Sequence, residues 1–153
     1  MNRLTRQFAK FGALNPAEQR TLLSAAVWLP IFWLGLRLLG LQRFHARLQR
    51  RPVAGGKPMN LVELRALGEL VSIAAHHTLG PRTCLTRSLL LGWMLRRRGM
   101  ESQLRIGVRL TNGELDAHAW VECDGIPIND QHDISTQFAS FGDLVPLEAF
   151  YEP

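Results

Sequence analysis

Cysteine is scarce in this sequence: Cys84 and Cys123 are the only two among 153 residues. Two cysteines make no disulfide framework, and their spacing is not that of a zinc site. They favour a reducing cytoplasm, and one cysteine with histidine and aspartate elsewhere is the pattern of a catalytic thiol. Internal repeats are also absent, and Met1 to Gly12 lacks the uninterrupted apolar core of a signal peptide.

Charged residues make up only 20% of the chain, whereas hydrophobic residues make up 46%, which is enough apolar material for the core of one domain. The formal charge of +5 is carried mainly by arginine and suggests an acidic partner, such as nucleic acid, a membrane surface or an acidic peptide. No interleaving of aromatic and basic residues accompanies this charge, so nucleic-acid binding is not expected.

One long apolar segment runs from Thr21 to Leu41, with Arg37 as its only charge. Its length approaches the ~20 residues that span a bilayer, but Pro30 and Arg37 interrupt it. We expect a pair of helices bent at Pro30 and buried against the rest of the chain; contact with a partner or a membrane is the alternative. A linker rich in proline and glycine follows, so residues 1–52 are predicted to form an N-terminal helical segment and residues 58–153 a second domain.

Beyond this linker, the apolar residues first follow helical and then strand spacing. Asn60 caps a predicted helix that ends at Gly80-Pro81, and Thr83 caps another from Cys84 to Arg98. Alternating apolar residues on both sides of Asn112-Gly113 predict a hairpin. Helices followed by antiparallel strands predict an α+β fold, with a helix packed on the sheet.

The register of this hairpin places the apolar residues on one face. A two-residue loop at Asn112-Gly113 puts every apolar side chain of the two strands on the same side, and a shift by one residue would destroy that agreement. The opposite face then pairs Arg109 with Asp116, Gly107 with His118 and Arg105 with Trp120.

The turn into a third predicted strand, Ile126 to Asp130, admits two registers. A two-residue loop at Asp124-Gly125 would point His118 away from Asp130. A three-residue loop from Cys123 to Gly125, with the glycine in the left-handed bulge position, would place His118 directly opposite Asp130. The carboxylate could then accept a hydrogen bond from the imidazole and fix its tautomer. The glycine permits the second register without proving it.

Cys84 is the candidate nucleophile. It lies at the predicted start of a helix, where unpaired backbone N–H groups and the helix dipole favour a thiolate. The same N–H groups could hold a developing oxyanion, and a histidine within reach would activate the thiol further. A lone cysteine is more often a buried structural residue, but the capped helix start, the strand histidine and the opposed aspartate together favour catalysis.

Two further residues compete for a role at this site. Asp116 shares a predicted strand face with His118 and could orient it, but Arg109 opposite offers Asp116 a simple ion pair. Trp120 is expected either to line the substrate cleft or to pack under Arg105.

Five short segments between Cys84 and Asp130, taken together, resemble the transglutaminase-like leader peptidases of lasso-peptide biosynthesis. The resemblance covers roughly Asn60 to Asp130, and the apolar helical stretch before it also looks like that family. The segments that carry it are Cys84-Leu85-Thr86-Arg87-Ser88-Leu89, Leu95 to Gly99, Ile106-Gly107-Val108, His118-Ala119-Trp120-Val121-Glu122 and Asn129-Asp130.

The resemblance implies a papain-like triad carried on Cys84, His118 and Asp130. It also implies cleavage of a ribosomally made precursor between leader and core, with neither a cofactor nor a metal. A separate leader-binding protein, the precursor-recognition element, and an ATP-dependent cyclase would act beside it. Some relatives carry the recognition module fused at the N-terminus. The segment before residue 52 is helix-rich and apolar, so a stand-alone peptidase is expected here.

Two other functions stay open at this point. Acyl transfer to an amine, as in true transglutaminases, passes through the same thioester as peptide hydrolysis, so the triad cannot separate the two reactions. A non-catalytic scaffold in the same maturation complex is the other alternative, and the intact Cys84, His118 and Asp130 count against it.

Overall fold

A computed structural model of the chain describes residues 12–50, 55–78 and 83–141. The segment 1–11, the expected helix stop at Gly80-Pro81 and a short helix expected near Pro146 to Tyr151 lie outside these ranges. The described elements, in chain order, are α1 (Pro16–Gln49), α2 (Leu61–His77), α3 (Cys84–Arg97), β1 (Gln103–Thr111), β2 (Glu114–Cys123), β3 (Ile126–Pro127), α4 (Ile134–Gln137) and β4 (Ala139–Phe141).

The helix starts lie where the capping residues predict them. Asn60 and Glu63 form a capping box at α2, with hydrogen bonds of 2.8 and 3.0 Å, and α1 opens with a box of the same kind. The Thr83 hydroxyl accepts a hydrogen bond from the Thr86 amide at 3.2 Å, which fixes Cys84 as the first residue of α3.

The expected break in the long apolar segment is real, but its position at Pro30 is wrong. The backbone leaves helical geometry at Gly40 (φ 73°, ψ 164°), a region that only glycine adopts readily. Beyond the break the chain folds back, so that a Cβ built on Gly35 would lie 2.5 Å from the Phe44 ring. The prediction of a helix pair is therefore confirmed, with the joint ten residues later than expected.

The main core lies around α3, which packs against α1, α2 and β2. Leu90, Leu91 and Leu95 of α3 are fully buried, and Phe32 of α1 and Val71 of α2 pack into the same cluster. α1 thus shares one core with the helices that follow the linker. The division of the chain into two domains at residues 52–58 stays a prediction.

The sheet is antiparallel, with strand order β3-β2-β1-β4. One face of β2 carries Val121 and Cys123 into the main core against the helices. The other face carries Trp120, which forms a second buried cluster with Ile134 and Phe138. The architecture is therefore the predicted α+β fold, with a helix packed on an antiparallel sheet and apolar helices ahead of it.

Candidate functional site

The first hairpin presents His118 as the sequence predicts. Gly107 pairs with His118 in β1 and β2, and Asn112 (φ 52°) and Gly113 (φ 82°) form the two-residue turn. Gly107 is needed here, because a Cβ at this position would lie 2.8 Å from the Cβ of Phe138 and 3.0 Å from the Trp120 ring. The missing side chain makes room for the aromatic residues around His118.

His118 and Asp130 form a close pair. The distance from His118 Nε2 to Asp130 Oδ2 is 2.5 Å, and the two side chains are 22% and 19% exposed. An ionised carboxylate only accepts hydrogen bonds, so Nε2 carries the proton and Nδ1 is the ring nitrogen left to exchange a proton with a thiol. This is the arrangement that an orienting acid and a general base require.

The route by which Asp130 reaches His118 differs from the predicted one. Cys123 pairs with Ile126, and Asp124 (φ 50°) and Gly125 (φ 76°) form a two-residue turn, so the three-residue register is wrong. β3 ends at Pro127; the Ile128 N–H still donates to the Val121 carbonyl at 2.9 Å, and the chain bends over residues 128–130. The bend carries Asp130 to His118, although the register of the hairpin would have pointed His118 away.

Asn129 and Ser88 hold this bend, and sequence reasoning assigned neither of them a role. Asn129 Oδ1 accepts a hydrogen bond from the Val121 amide at 2.8 Å, a bond that the carbonyl of a continuing third strand would otherwise accept. Asn129 Nδ2 donates to Ser88 Oγ at 3.1 Å, and Ser88 Oγ donates to the Ala119 carbonyl at 3.0 Å. One hydroxyl and one amide thus connect α3, β2 and the segment that carries Asp130.

Cys84 lies one helical turn before Ser88. Four residues of helix rise about 6 Å and place both side chains on the same face of α3. The Ser88 hydroxyl bonds to the carbonyl of Ala119, the neighbour of His118, so α3 contacts β2 beside the histidine one helical turn after Cys84. Cys84 is a free, half-buried thiol in the first turn. A serine four residues after the candidate nucleophile, on the same helix face, was the signal that could have identified Ser88.

Cys123, the other thiol, is buried in the main core. Burial, with a smaller contribution from the charge of Asp124, raises the pKa of the Cys123 thiol to about 11. A thiol with so high a pKa is almost entirely protonated at neutral pH and is a poor nucleophile. The placement therefore favours Cys84 as the reactive cysteine.

The Trp120 ring lies next to the His118 imidazole. Its ring is fully buried and lies nearly parallel to the imidazole, with centroids 6.2 Å apart. The indole Nε1 donates to Glu122 Oε1 at 2.8 Å, and Arg105 Nε donates to Glu122 Oε2 at 3.0 Å. Trp120 therefore packs near Arg105, which is one of its two expected roles. A direct role of Trp120 in binding substrate stays a prediction.

Asp116, the other candidate carboxylate, bonds to Arg109 and does not orient His118 as Asp130 does. Both Nε and Nη2 of Arg109 lie 2.9 Å from Asp116 Oδ2, so the expected ion pair is present. Of the two candidate carboxylates, only Asp130 is bonded to the imidazole.

An open cleft of about 460 Å³ runs between α2 and the segment that carries Asp130. A Cβ on Gly68 would lie 3.2 Å from the Ile128 carbonyl oxygen, so the two segments approach closely at its floor. Arg65 and Glu69 line it from α2. Within the described ranges, no three His, Cys, Asp or Glu side chains gather in a way that could hold a metal ion.

A protein-family model described as the transglutaminase-like superfamily matches residues 26–142. This match begins inside α1 and extends past β4, so it contains every candidate site residue. No curated protein and no solved structure matches the chain significantly.

Proposed function

Because this chain belongs to the transglutaminase-like superfamily, a group of cysteine peptidases and acyltransferases, we propose that it is a cysteine peptidase that removes the leader from a ribosomally made lasso-peptide precursor. The single observation that supports catalysis most strongly is the hydrogen bond between His118 and Asp130 on a strand tied to the helix of Cys84. A carboxylate that fixes the orientation and tautomer of a histidine is what catalysis requires, so this pair favours an enzyme over a non-catalytic scaffold.

In the proposed reaction, His118 Nδ1 holds the proton of the Cys84 thiol. The thiolate sulfur attacks the carbonyl carbon of the scissile peptide bond, and backbone N–H groups in the first turn of α3 stabilise the oxyanion. The carbon–nitrogen bond then breaks, and His118 gives its proton to the leaving amine. Asp130 stabilises the imidazolium and fixes its orientation throughout.

Hydrolysis of the thioester completes the cycle. A water molecule gives one proton to His118 Nδ1 and attacks the thioester carbonyl. The carbon–sulfur bond breaks, the leader leaves with a free carboxylate, and the thiol takes back its proton. The open cleft beside Asp130 has room for an extended segment of substrate and for water.

The alternative is transfer of the acyl group to an amine, which uses the same thioester. We expect incubation with a leader–core precursor and an added primary amine to yield free leader acid and free core, as detected by mass spectrometry. The Cys84→Ala variant should yield neither product, and Cys123→Ala should match the unmodified chain. A leader mass raised by the amine would instead assign acyl transfer, and an unchanged precursor would contradict both reactions.

We also propose that the peptidase works in the cytoplasm with a separate precursor-recognition protein, and beside the cyclase that closes the ring. Two features support a recognition partner. The described part of the chain before residue 50 is helical, whereas such a module combines strands and a helix. The cleft beside the site is wide and open, so it would enclose little of a bound peptide and could select one only weakly by itself.

A further inference from the structure

The outer face of α1 carries a continuous row of exposed apolar side chains. Between Arg20 and Leu38 the residues follow the spacing of one helix face and cover about 27 Å of axis. We call this row the apolar stripe: Leu23 (56% exposed), Val27 (62%), Ile31 (47%), Leu34 (47%) and Leu38 (72%). Contiguous exposed apolar surface of this kind marks a binding site.

The same helix would have to give up core contacts to cross a bilayer. Its opposite face buries Leu29 and Phe32 in the main core, and the Phe32 and Trp28 rings lie 5.5 and 4.8 Å from the ring of Trp93 in α3. By length and composition α1 could span a membrane, but spanning would remove these contacts. The apolar stripe can therefore meet a ligand only at the surface of the folded domain.

A basic cleft opens beside the first turns of the apolar stripe. We call it the arginine cleft: it has a volume of about 340 Å³ and lies between the start of α1 and the end of α3, with Arg20, Arg97 and Arg98 in its walls. The Arg98 guanidinium donates to Thr21 Oγ1 at 3.2 Å, and Arg97 lies 4.8 Å over the Trp93 ring. These contacts hold two cations side by side.

The charge in the arginine cleft is not neutralised from within. Among the described residues, no carboxylate lies within ion-pair distance of Arg20, Arg97 or Arg98. Burial, followed by the neighbouring charge of Arg97, lowers the pKa of Arg98. Arg20 and Arg97 are exposed and Arg98 is partly buried. Guanidinium groups that lie together favour an incoming anion, and phosphate oxygens match their planar donors well.

We propose that the apolar stripe and the arginine cleft together bind the surface of a bilayer that contains anionic phospholipids. Arg20 connects the two features, because it lies in the cleft wall and on the same helix face as Val27 and Leu34. The lipid phosphates occupy the cleft, and the stripe enters the boundary between headgroups and acyl chains. The single acidic residue of α1, Glu18, is held in the capping box and does not oppose this contact.

Sedimentation with vesicles tests the proposal. We expect the full chain to bind vesicles of phosphatidylcholine mixed with phosphatidylglycerol, to bind pure phosphatidylcholine at least roughly tenfold more weakly, and to lose binding as ionic strength rises. The double variant Val27→Gln/Leu34→Gln should abolish binding. Its matched control is Leu110→Gln/Leu115→Gln, which changes two side chains that are 73% and 72% exposed on the hairpin and should bind normally.

The charge is tested with equal changes in net charge. Arg20→Gln/Arg97→Gln should weaken vesicle binding roughly tenfold, whereas Arg43→Gln/Arg47→Gln, which changes two exposed arginines beyond Gly40, should have a smaller effect. Equal losses for the two pairs would remove the arginine cleft from the proposal. If the chain binds neither kind of vesicle, the membrane proposal is wrong. This holds even if inorganic phosphate binds to the chain. It also holds if light scattering shows a dimer, or a complex with the recognition protein, that Val27→Gln/Leu34→Gln dissolves.

Discussion

The two thiols of this chain lie in opposite environments. Cys84 is half-buried in the first turn of α3, where backbone N–H groups lack partners within the helix. Cys123 lies among apolar side chains at the end of β2. Because the thiolate is the nucleophile, position alone makes these two residues chemically unequal.

Alkylation should separate them. We expect iodoacetamide to modify Cys84 first near neutral pH and to abolish activity, while Cys123 reacts slowly. Since the folded-state pKa of Cys123 is raised to about 11, its thiolate is populated only as the pH rises towards that value, and its rate of modification should keep increasing through pH 9 and 10. Peptide mass mapping of both sites over pH measures this. Loss of activity through Cys123 at neutral pH would contradict the assignment of Cys84.

The two candidate carboxylates also differ in what they hold. Asp130 is bonded to His118, whereas Asp116 is bonded to Arg109. We expect Asp130→Asn to lower kcat by several orders of magnitude, as the same change does in a Ser-His-Asp triad. Asp116→Asn removes only an exposed ion pair of about 0–1 kcal/mol and should leave kcat nearly unchanged. Steady-state kinetics on the precursor compares them, and equal losses for both variants would disprove a special role for Asp130.

At the scale of elements, the two hairpins show where sequence patterns are enough to predict strand register and where they are not. In the first, Asn112-Gly113 and the alternation of apolar residues fix the same register, and the prediction is confirmed. In the second, Asp124-Gly125 supports a two-residue turn as readily as a bulge, and a strand of only two residues leaves no alternation to decide between them. The sequence identified His118 and Asp130 as a pair, but the bend that joins them depends on long-range contacts that no local pattern reports.

Those long-range contacts are side-chain hydrogen bonds of Ser88 and Asn129. They join residues 31 and 41 positions apart in the sequence, so neither helical nor strand periodicity indicates them. Both residues act through others, because they set the relative position of the elements that carry Cys84, His118 and Asp130.

Removal of the Ser88 hydroxyl should therefore affect rate more than binding. We expect Ser88→Ala to lower kcat at least roughly tenfold with little change in KM, since small displacements of reacting groups carry large losses in rate. It should also destabilise the fold by about 1–3 kcal/mol, because Asn129 Nδ2 loses its partner. The control is Ser140→Ala at an exposed position of β4.

A second measurement separates positioning from simple destabilisation. It is the rate at which iodoacetamide modifies Cys84, followed as a function of pH at a temperature well below the melting temperature. Ser88→Ala should shift that profile because His118 no longer lies correctly, and Ser88→Thr should restore it in part. An unchanged profile beside a lower melting temperature would make Ser88 merely structural.

On the scale of the whole molecule, α3 is the element that connects the candidate site to the arginine cleft. It packs against both preceding helices and β2, it begins at Cys84 and it ends at the arginines of the arginine cleft. The sequence predicted the helix and its cap, but not that its two ends would serve two different surfaces. That separation would leave the open cleft near Asp130 free for substrate in the proposed contact of the other end of α3 with a membrane.

If the chain is the proposed peptidase, its small size and open cleft predict that it depends on a partner for its choice of substrate. We expect the rate of leader removal at low precursor concentration to rise at least tenfold when the recognition protein is added, because tethering raises the effective concentration of the scissile bond near Cys84 to roughly millimolar. The gain should vanish at saturating precursor and should be absent for a core peptide with a truncated leader, which serves as the control. Measurement of initial rates by mass spectrometry, with and without the recognition protein, decides the point. Equal rates at low precursor concentration would show that the peptidase selects the leader by its own contacts, with Arg65 and Glu69 in the cleft beside Asp130 as the first residues to exchange.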